Sequence, residues 1–354
     1  MMENLMKNIP IFTIFLALLV TGCNGGKPVT QTSTLTIMTH DSFEVSEELI
    51  KTFEKDNNVK LAFLKSGDAG SALNKAIISK NAPLADVFYG VDNTFLSRAL
   101  DSGIFEPYNS PAFKDIPEAY RLAPRNDLLP VDYGDVCINY DKAFFSEHKL
   151  LIPQTLEELL KPEYKNMLVM ENPATSSTGL AFLLATISHF GESNYLDYWK
   201  SLSSNGLAVV DDWSTAYYTN FSGSSGHGSQ PMVVSYASSP VAEVVFAETK
   251  LTEAPTDSIS SAGTCFRQIE FVGILKGTLH RQLAEKFLDF MLGVQFQQDM
   301  PLQMFVYPVN PEAKLPPEFV KYARVSESPV TIDPDIIASN RDAWITSWTE
   351  VVLH

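Results

Sequence analysis

The sequence predicts an α/β protein built as two lobes, and three observations carry that prediction. Between Thr34 and Phe105, strand-like and helix-like segments alternate as β-α-β-α-β-α, the pattern of a sheet layer covered by helices. A second α/β run follows the proline-bounded stretch "LAPRNDLLPVDYGD". The chain then returns near Ile269–Phe271 and crosses again near "VYPVNPEAKLPPEF", and several crossings between two α/β layers make a hinge. A length of 354 residues is enough for two such layers.

The elements follow in order. "TLTIMTH" alternates as a strand, and "DSF" turns the chain after it. In "SEELIKTFEKDNN", Leu49, Ile50 and Phe53 share one helix face and Ser46 stands where a cap belongs. "VKLAFLKSG" and "ADVFYGVD" are strands, each followed by a helix, "SALNKAIISKNAP" and "NTFLSRALDSGIF". The second run has strands at "GDVCINYDK", "NMLVMEN", "GLAVVDD" and "PMVVSYA". Its helices are "SSTGLAFLLATISHFG", with hydroxyls at its start and glycine at its end, and "SPVAEVVFAE", which Pro240 can begin. "FRQIEFVGIL" is the returning strand, "HRQLAEKFLDFMLGVQFQQDM" one long helix, and "IIASNRDAWITSWTEVV" the closing helix. The Ser/Gly run "FSGSSGHGSQ" is a loop.

Hydrophobic residues make up 45% and charged residues 19%, a globular balance. The net charge of −16 argues against a nucleic-acid partner, whose binders need basic surfaces, and mildly favours cations. At the N-terminus, Lys7 precedes the apolar run Ile9 to Val20, too short to span a bilayer and shaped like an export signal. "LVTGC" ends it, and "NGGKPVTQTST" reads as a polar tether. Cys137 and Cys265 lie in apolar strand-like stretches. They are either two buried thiols acting as small hydrophobes or, outside the cytosol, a pair able to oxidise.

Candidate contacts fall in the turns after strands, where α/β sheets present ligands. They are "THDSF" with His40, Asp41 and Ser42; "SGDAGS" with Asp68 and Ala69; "GVDN" with Asp92; "ENPATSSTG" with Ser176 and Ser177; "DDWSTAYY" with Trp213 and Tyr217; and "SYASSP" with Tyr236, Ser238 and Ser239. In "VVDDWSTAYYTNF", Trp213, Tyr217 and Phe221 are four apart, which suits a buried helix stripe. The same rings beside two aspartates also suit a flat cationic ligand. Ser176 or Ser177 either caps the following helix or, with its free N–H groups, seats a hydroxyl or phosphate. Asp68 either steadies a turn beside Gly67 or meets an amine. Catalytic signatures are missing: "SGDAGSA" lacks the Gly-Lys-Ser/Thr of a P-loop, no G-x-S-x-G occurs, and His40, His148, His189, His227, His280 and His354 are scattered.

Taken in order, "THDSF", "ADVFYGVDN", "VDYGDVCINYDK", "ENPATSSTGLAFLL", "DDWSTAYY", "VVSYASSP", "AEKFLDFML", "YPVN" and "NRDAWITSW" resemble the extracytoplasmic thiamine-binding proteins of ABC importers. That family is a branch of the type II periplasmic-binding-protein fold, and the resemblance runs from about Thr34 to Trp348. It implies two α/β lobes with a hinge and a ligand cleft between them. It also implies capture of thiamine, and of its phosphates, for delivery to a membrane permease by a monomer with no cofactor, no metal and no turnover. Residues 34–131 and 270–308 would form one lobe, and 132–269 and 309–354 the other. The contacts carried over are Asp68 with Ala69, Ser176 with Ser177, Trp213, and Tyr236, Ala237, Ser238 and Ser239. Trp213 would stack on the ligand while Tyr217 and Phe221 stay with the packed face. His40, Ala69 and Phe305 stand where the family often has Tyr, Gly and Trp, and the family's aromatic-bearing insertion after the first strand is missing, since "DSF" runs straight into "EVSEEL"; losing two indoles weakens stacking by about 1 kcal/mol each. "LVTGC" resembles a lipobox, which implies cleavage before Cys23, lipidation of that cysteine and attachment outside the cytoplasm, with residues 24–33 as the tether. Within the same fold, the pair Tyr217–Tyr218 suggests iron(III) binding and the acidity suggests polyamines; an extracytoplasmic enzyme is a further alternative.

Overall fold

The computed structural model describes residues 33–225 and 228–354; Cys23, nearly all of the tether and His227 lie outside them. Eleven strands among these residues form one sheet. They are β1 (Ser33–Thr39), β2 (Val59–Lys65), β3 (Val87–Asp92), β4 (Phe105–Glu106), β5 (Leu129–Asp141), β6 (Leu168–Glu171), β7 (Ala208–Val210), β8 (Met232–Tyr236), β9 (Thr256–Ile259), β10 (Phe266–Leu275) and β11 (Tyr307–Pro308). The order is β2-β1-β3-β10-β5-β8-β6-β7, with β4 beside β10, and β9 and β11 beside β5.

The two ends of this sheet are built alike. At one end β2, β1 and β3 run parallel and β10 pairs antiparallel with β3. At the other end β7, β6 and β8 run parallel and β5 pairs antiparallel with β8. The strands β5 and β10 pair with each other in the middle and so belong to both lobes. The sheet is therefore parallel only in its outer thirds, because the chain must cross and return between lobes. β3 is apolar apart from Asp92, β10 apart from Arg267, Gln268 and Glu270, and both are buried along nearly their whole length, as strands covered on both faces are. One core packs around Leu35, Ile37, Val87, Val131 and Phe287 under β1, β3 and β5. A larger core joins the helix Ser177–Phe190 to Phe88, Phe95, Trp199, Phe266 and Trp348.

Three crossings meet at one level of the sheet. Asp132 of β5 faces Glu270 of β10, and Pro308 of β11 faces Asp132. The register slips there twice. Between Glu270 and Phe271 the partner on β5 jumps from Asp132 to Pro130, leaving Val131 as the extra residue; its carbonyl accepts from Gln297 Nε2 at 2.8 Å. Between Phe271 and Val272 the partner on β3 jumps from Val91 to Tyr89, leaving Gly90 at φ +106°. Bulges of this kind bend a strand and re-aim its side chains.

Three expectations need correction. "HRQLAEKFLDFMLGVQFQQDM" forms two helices, Arg281–Leu292 and Val294–Gln303, because Gly293 leaves the helical region at ψ 149°. Ser46 holds the cap position of the helix Glu47–Asn57, but its hydroxyl makes no capping bond. The stripe Trp213, Tyr217 and Phe221 lies along a wider π-turn, Thr215–Asn220, and not an α-helix. Cys137 and Cys265, which sequence could not pair, form a disulfide that ties β5 to the start of β10.

Candidate functional site

The turns after β1, β2, β7 and β8 and the start of the helix after β6 converge on one cavity of about 270 Å³. That is the carboxyl edge of the parallel strands in both lobes, where such sheets present ligands. From the first lobe come His40, Asp41, Ser42, Glu44, Asp68 and Ala69; from the second come Ser177, Thr178, Trp213, Tyr217, Tyr236 and Ser239. Glu270 closes the cavity from the crossing strand, and Phe305 and Phe246 close it from the side.

Asp68 joins the lobes. Its Oδ1 accepts from the Ala69 N–H at 2.6 Å and caps the helix Ala69–Ile78. Its Oδ2 accepts from the Trp213 N–H at 3.0 Å, across the cleft. Burial pushes the carboxyl up to about 6, against the N–H groups of Trp213, Ala69 and Ser177 and the Ser176 hydroxyl, which favour the charged form. Beside it the lobes touch closely. A Cβ on Gly70 would stand 2.8 Å from the Thr175 carbonyl oxygen of the other lobe, and 2.8 Å from the Phe95 ring.

Trp213 is held on three sides. Its indole N–H donates to Ser235 Oγ at 2.9 Å, and that hydroxyl shares a 2.9 Å bond with Ser239. Its ring stacks on Tyr217 with centroids 4.9 Å apart and planes 15° from parallel. Asp212 fixes the turn that follows by accepting from the Thr215 N–H at 2.7 Å. Tyr217 is buried in the packed face as expected, yet its ring also borders the cavity. Its hydroxyl donates to Glu243 Oε1 at 2.9 Å, and Tyr218, exposed and with its ring at 86° to that of Tyr217, also borders the cavity.

His40 is a buried floor residue. Gly90 makes room for it: a Cβ there would lie 2.6 Å from His40 Cδ2. Burial lowers the imidazole to about 4, so it is neutral at ordinary pH, and its Nε2 lies 3.5 Å from Glu270 Oε1. Phe305 reaches the cavity from φ +56°, an uncommon conformation for a bulky residue, with Ser238 Oγ donating to its carbonyl.

Of the residues singled out in the sequence, His40, Asp68, Ala69, Ser177, Trp213, Tyr236, Ser239 and Phe305 border the cavity. Ser176, Ala237 and Ser238 do not. Ser176 is fully buried and shares a 3.0 Å bond with Thr178 Oγ1. Ala237 packs against the Cys137–Cys265 bridge, and Ser238 is turned onto the Phe305 backbone. The sequence reading missed Glu44, Thr178, Phe246, Met304 and, above all, Glu270. The signal for Glu270 was a lone carboxylate inside the apolar run "FRQIEFVGIL", since a carboxylate buried in a strand needs a reason. Among the described residues, none that lines the cavity is Lys or Arg.

This geometry, two α/β lobes joined by crossing strands and closing on a polar and aromatic cleft, defines a solute-binding protein. Residues 82–340 match the bacterial extracellular solute-binding protein family, and the chain belongs to it. It is 30% identical to the thiamine-binding periplasmic protein of Brucella suis biovar 1 (strain 1330), over 89% of this chain and 91% of that one. It is 29% identical to the thiamine-binding periplasmic protein of Salmonella typhimurium (strain LT2), over 90% and 93%. A solved periplasmic thiamin binding protein superposes with a TM-score of 0.80 at 28% identity, covering 91% of this chain and 96% of that one.

Proposed function

We propose that this protein captures thiamine, and its phosphate esters, between its lobes and delivers it to the permease of an ABC importer. The observation that carries the reading is the cavity's chemistry. The carboxyl groups of Asp68 and Glu270 and the aromatic rings of Trp213, Tyr236 and Phe305 line one small space, with no Lys or Arg among the described lining residues. Thiamine is a flat molecule with a fixed positive charge, and a cation of that shape is favoured over an aromatic face and beside a carboxylate. The relatives named for thiamine, at about 30% identity, support the same ligand.

In this reading Asp68 contributes from the first lobe, and Ser177, Trp213, Tyr236 and Ser239 from the second. The lobes divide where the three crossings lie level, at 131/132, 269/270 and 308/309. The ligand stabilises the closed form because it touches both lobes. A phosphate on the ligand depends on the N–H groups at the start of the helix Ser177–Phe190, because among the described residues no Lys or Arg lines the cavity and His40 is neutral. Export, cleavage before Cys23 and lipidation of that cysteine hold the protein at the outer face of the membrane. No turnover accompanies binding.

The test is calorimetric titration of the chain from Asn24 onward with thiamine, thiamine phosphate and thiamine diphosphate, beside spermidine and ferric citrate. One-to-one binding of a thiamine form with no heat from the two controls is expected. Binding of spermidine or iron in place of every thiamine form would overturn the reading.

A further inference from the structure

Glu270, which borders the cavity, stands in a row of three buried carboxyl groups. In the sheet register it lies directly opposite Asp92 on β3 and directly opposite Asp132 on β5. Like charges facing each other across neighbouring strands are unfavourable, and all three residues are buried.

The three are not equivalent. Asp92 is committed to its own turn: its Oδ1 accepts from the Thr94 N–H at 2.9 Å and the Thr94 hydroxyl at 2.6 Å, and its Oδ2 accepts from Gln268. Asp132 accepts from Tyr89 at 2.7 Å through Oδ2, while its Oδ1 has no partner. Glu270 Oε2 lies 3.0 Å from the same Tyr89 hydroxyl, whose single hydrogen the two acids compete for, and Glu270 is the one of the three that borders the cavity. The groups facing Glu270 are thus His40 from the turn after β1, Tyr89 and Asp92 from β3, Asp132 from β5, and Tyr236 from β8. None of these is a cation at neutral pH, since burial keeps His40 neutral. Lys65, at the rim, is paired with Glu44. Burial first, then the charges of Asp132 and Asp92, push Glu270 well above the usual carboxylate range, and burial pushes Asp132 up to about 7.

We propose that Glu270 is the residue by which this cleft recognises positive charge: a cationic ligand pairs with its carboxylate, and the Asp132–Glu270 pair releases one proton to solvent as the ligand enters. The carboxylic O–H bond breaks heterolytically, the electron pair stays on the carboxylate, and the ligand's fixed charge replaces the proton's. The inference rests on the reading that the ligand is a thiamine cation.

The sign follows directly. Groups whose protons are held more tightly without ligand lose them on binding, so thiamine affinity rises with pH through neutrality and falls as pH drops below it. Calorimetry at pH 7 in two buffers of different ionisation enthalpy counts the protons released by the wild-type chain, with no variant needed. About one proton per thiamine is expected, and none for thiochrome, the uncharged oxidation product of thiamine. Glu270→Gln should weaken thiamine binding on the order of ten- to a hundred-fold, with a smaller loss for thiochrome and reduced proton release. Thiamine binding by wild type with no proton released, or equal losses for thiamine and thiochrome in the variant, overturns the proposal and leaves the ligand assignment standing. A wild-type chain that takes up no thiamine form overturns both.

Discussion

Asp68 shows how one side chain can cap a helix and join two lobes. It caps the helix Ala69–Ile78 with one oxygen and receives the Trp213 N–H of the other lobe with the second. Asp68→Asn keeps an oxygen for the cap and removes the charge. The melting temperature should change by only a few degrees, while thiamine affinity falls by about ten-fold or more; circular-dichroism melting beside calorimetry separates the two effects. Equal loss of both would make Asp68 a purely structural residue. The structural part of Asp68 was legible because aspartate beside glycine after a strand is a turn signal with few meanings, and it caps the next helix. Glu270 was not, because strand periodicity places it in an apolar run and only the three-strand register reveals the aspartates opposite it.

Individual strands and helices were legible where composition alone decides them. The apolar stretches of β3 and β10 could be buried only as central strands, and the hydroxyls and glycine bracketing Ser177–Phe190 mark a helix. Pairing was less legible. Nothing within "GDVCINYDK" or "FRQIEFVGIL" says that the two strands lie antiparallel side by side, or that Cys137 meets Cys265. That bridge closes a 128-residue separation, and bridges of such span stabilise by roughly 2–4 kcal/mol. The contact between lobes also belongs to this scale. Because a Cβ on Gly70 would press on the Thr175 carbonyl, Gly70→Ala should hold the helix Ala69–Ile78 off the second lobe. The expected result is thiamine affinity several-fold lower and a larger radius of gyration with ligand than wild type shows, by small-angle X-ray scattering. Unchanged compaction would mean that the lobes approach by another path.

At the scale of the molecule, every crossing strand passes the level of Asp132 and Glu270, so the hinge and the floor of the cleft are the same place. A ligand at that floor touches the β5–β10 crossing as well as both lobes, which couples occupancy to closure. The two-lobed architecture could be read from the alternation of elements and the returning strand, but the shared level could not, since it depends on two one-residue slips in register. In the proposed reading, thiamine lies in this cleft against Trp213. Titrating thiamine into the wild-type chain beside Trp213→Ala decides whether it does. Saturable one-to-one binding by wild type, weakened about ten-fold or more in the variant, is the predicted result. Equal affinity in a folded variant would contradict it, because the ring that Ser235 and Tyr217 hold at the cavity would then contribute nothing to the ligand.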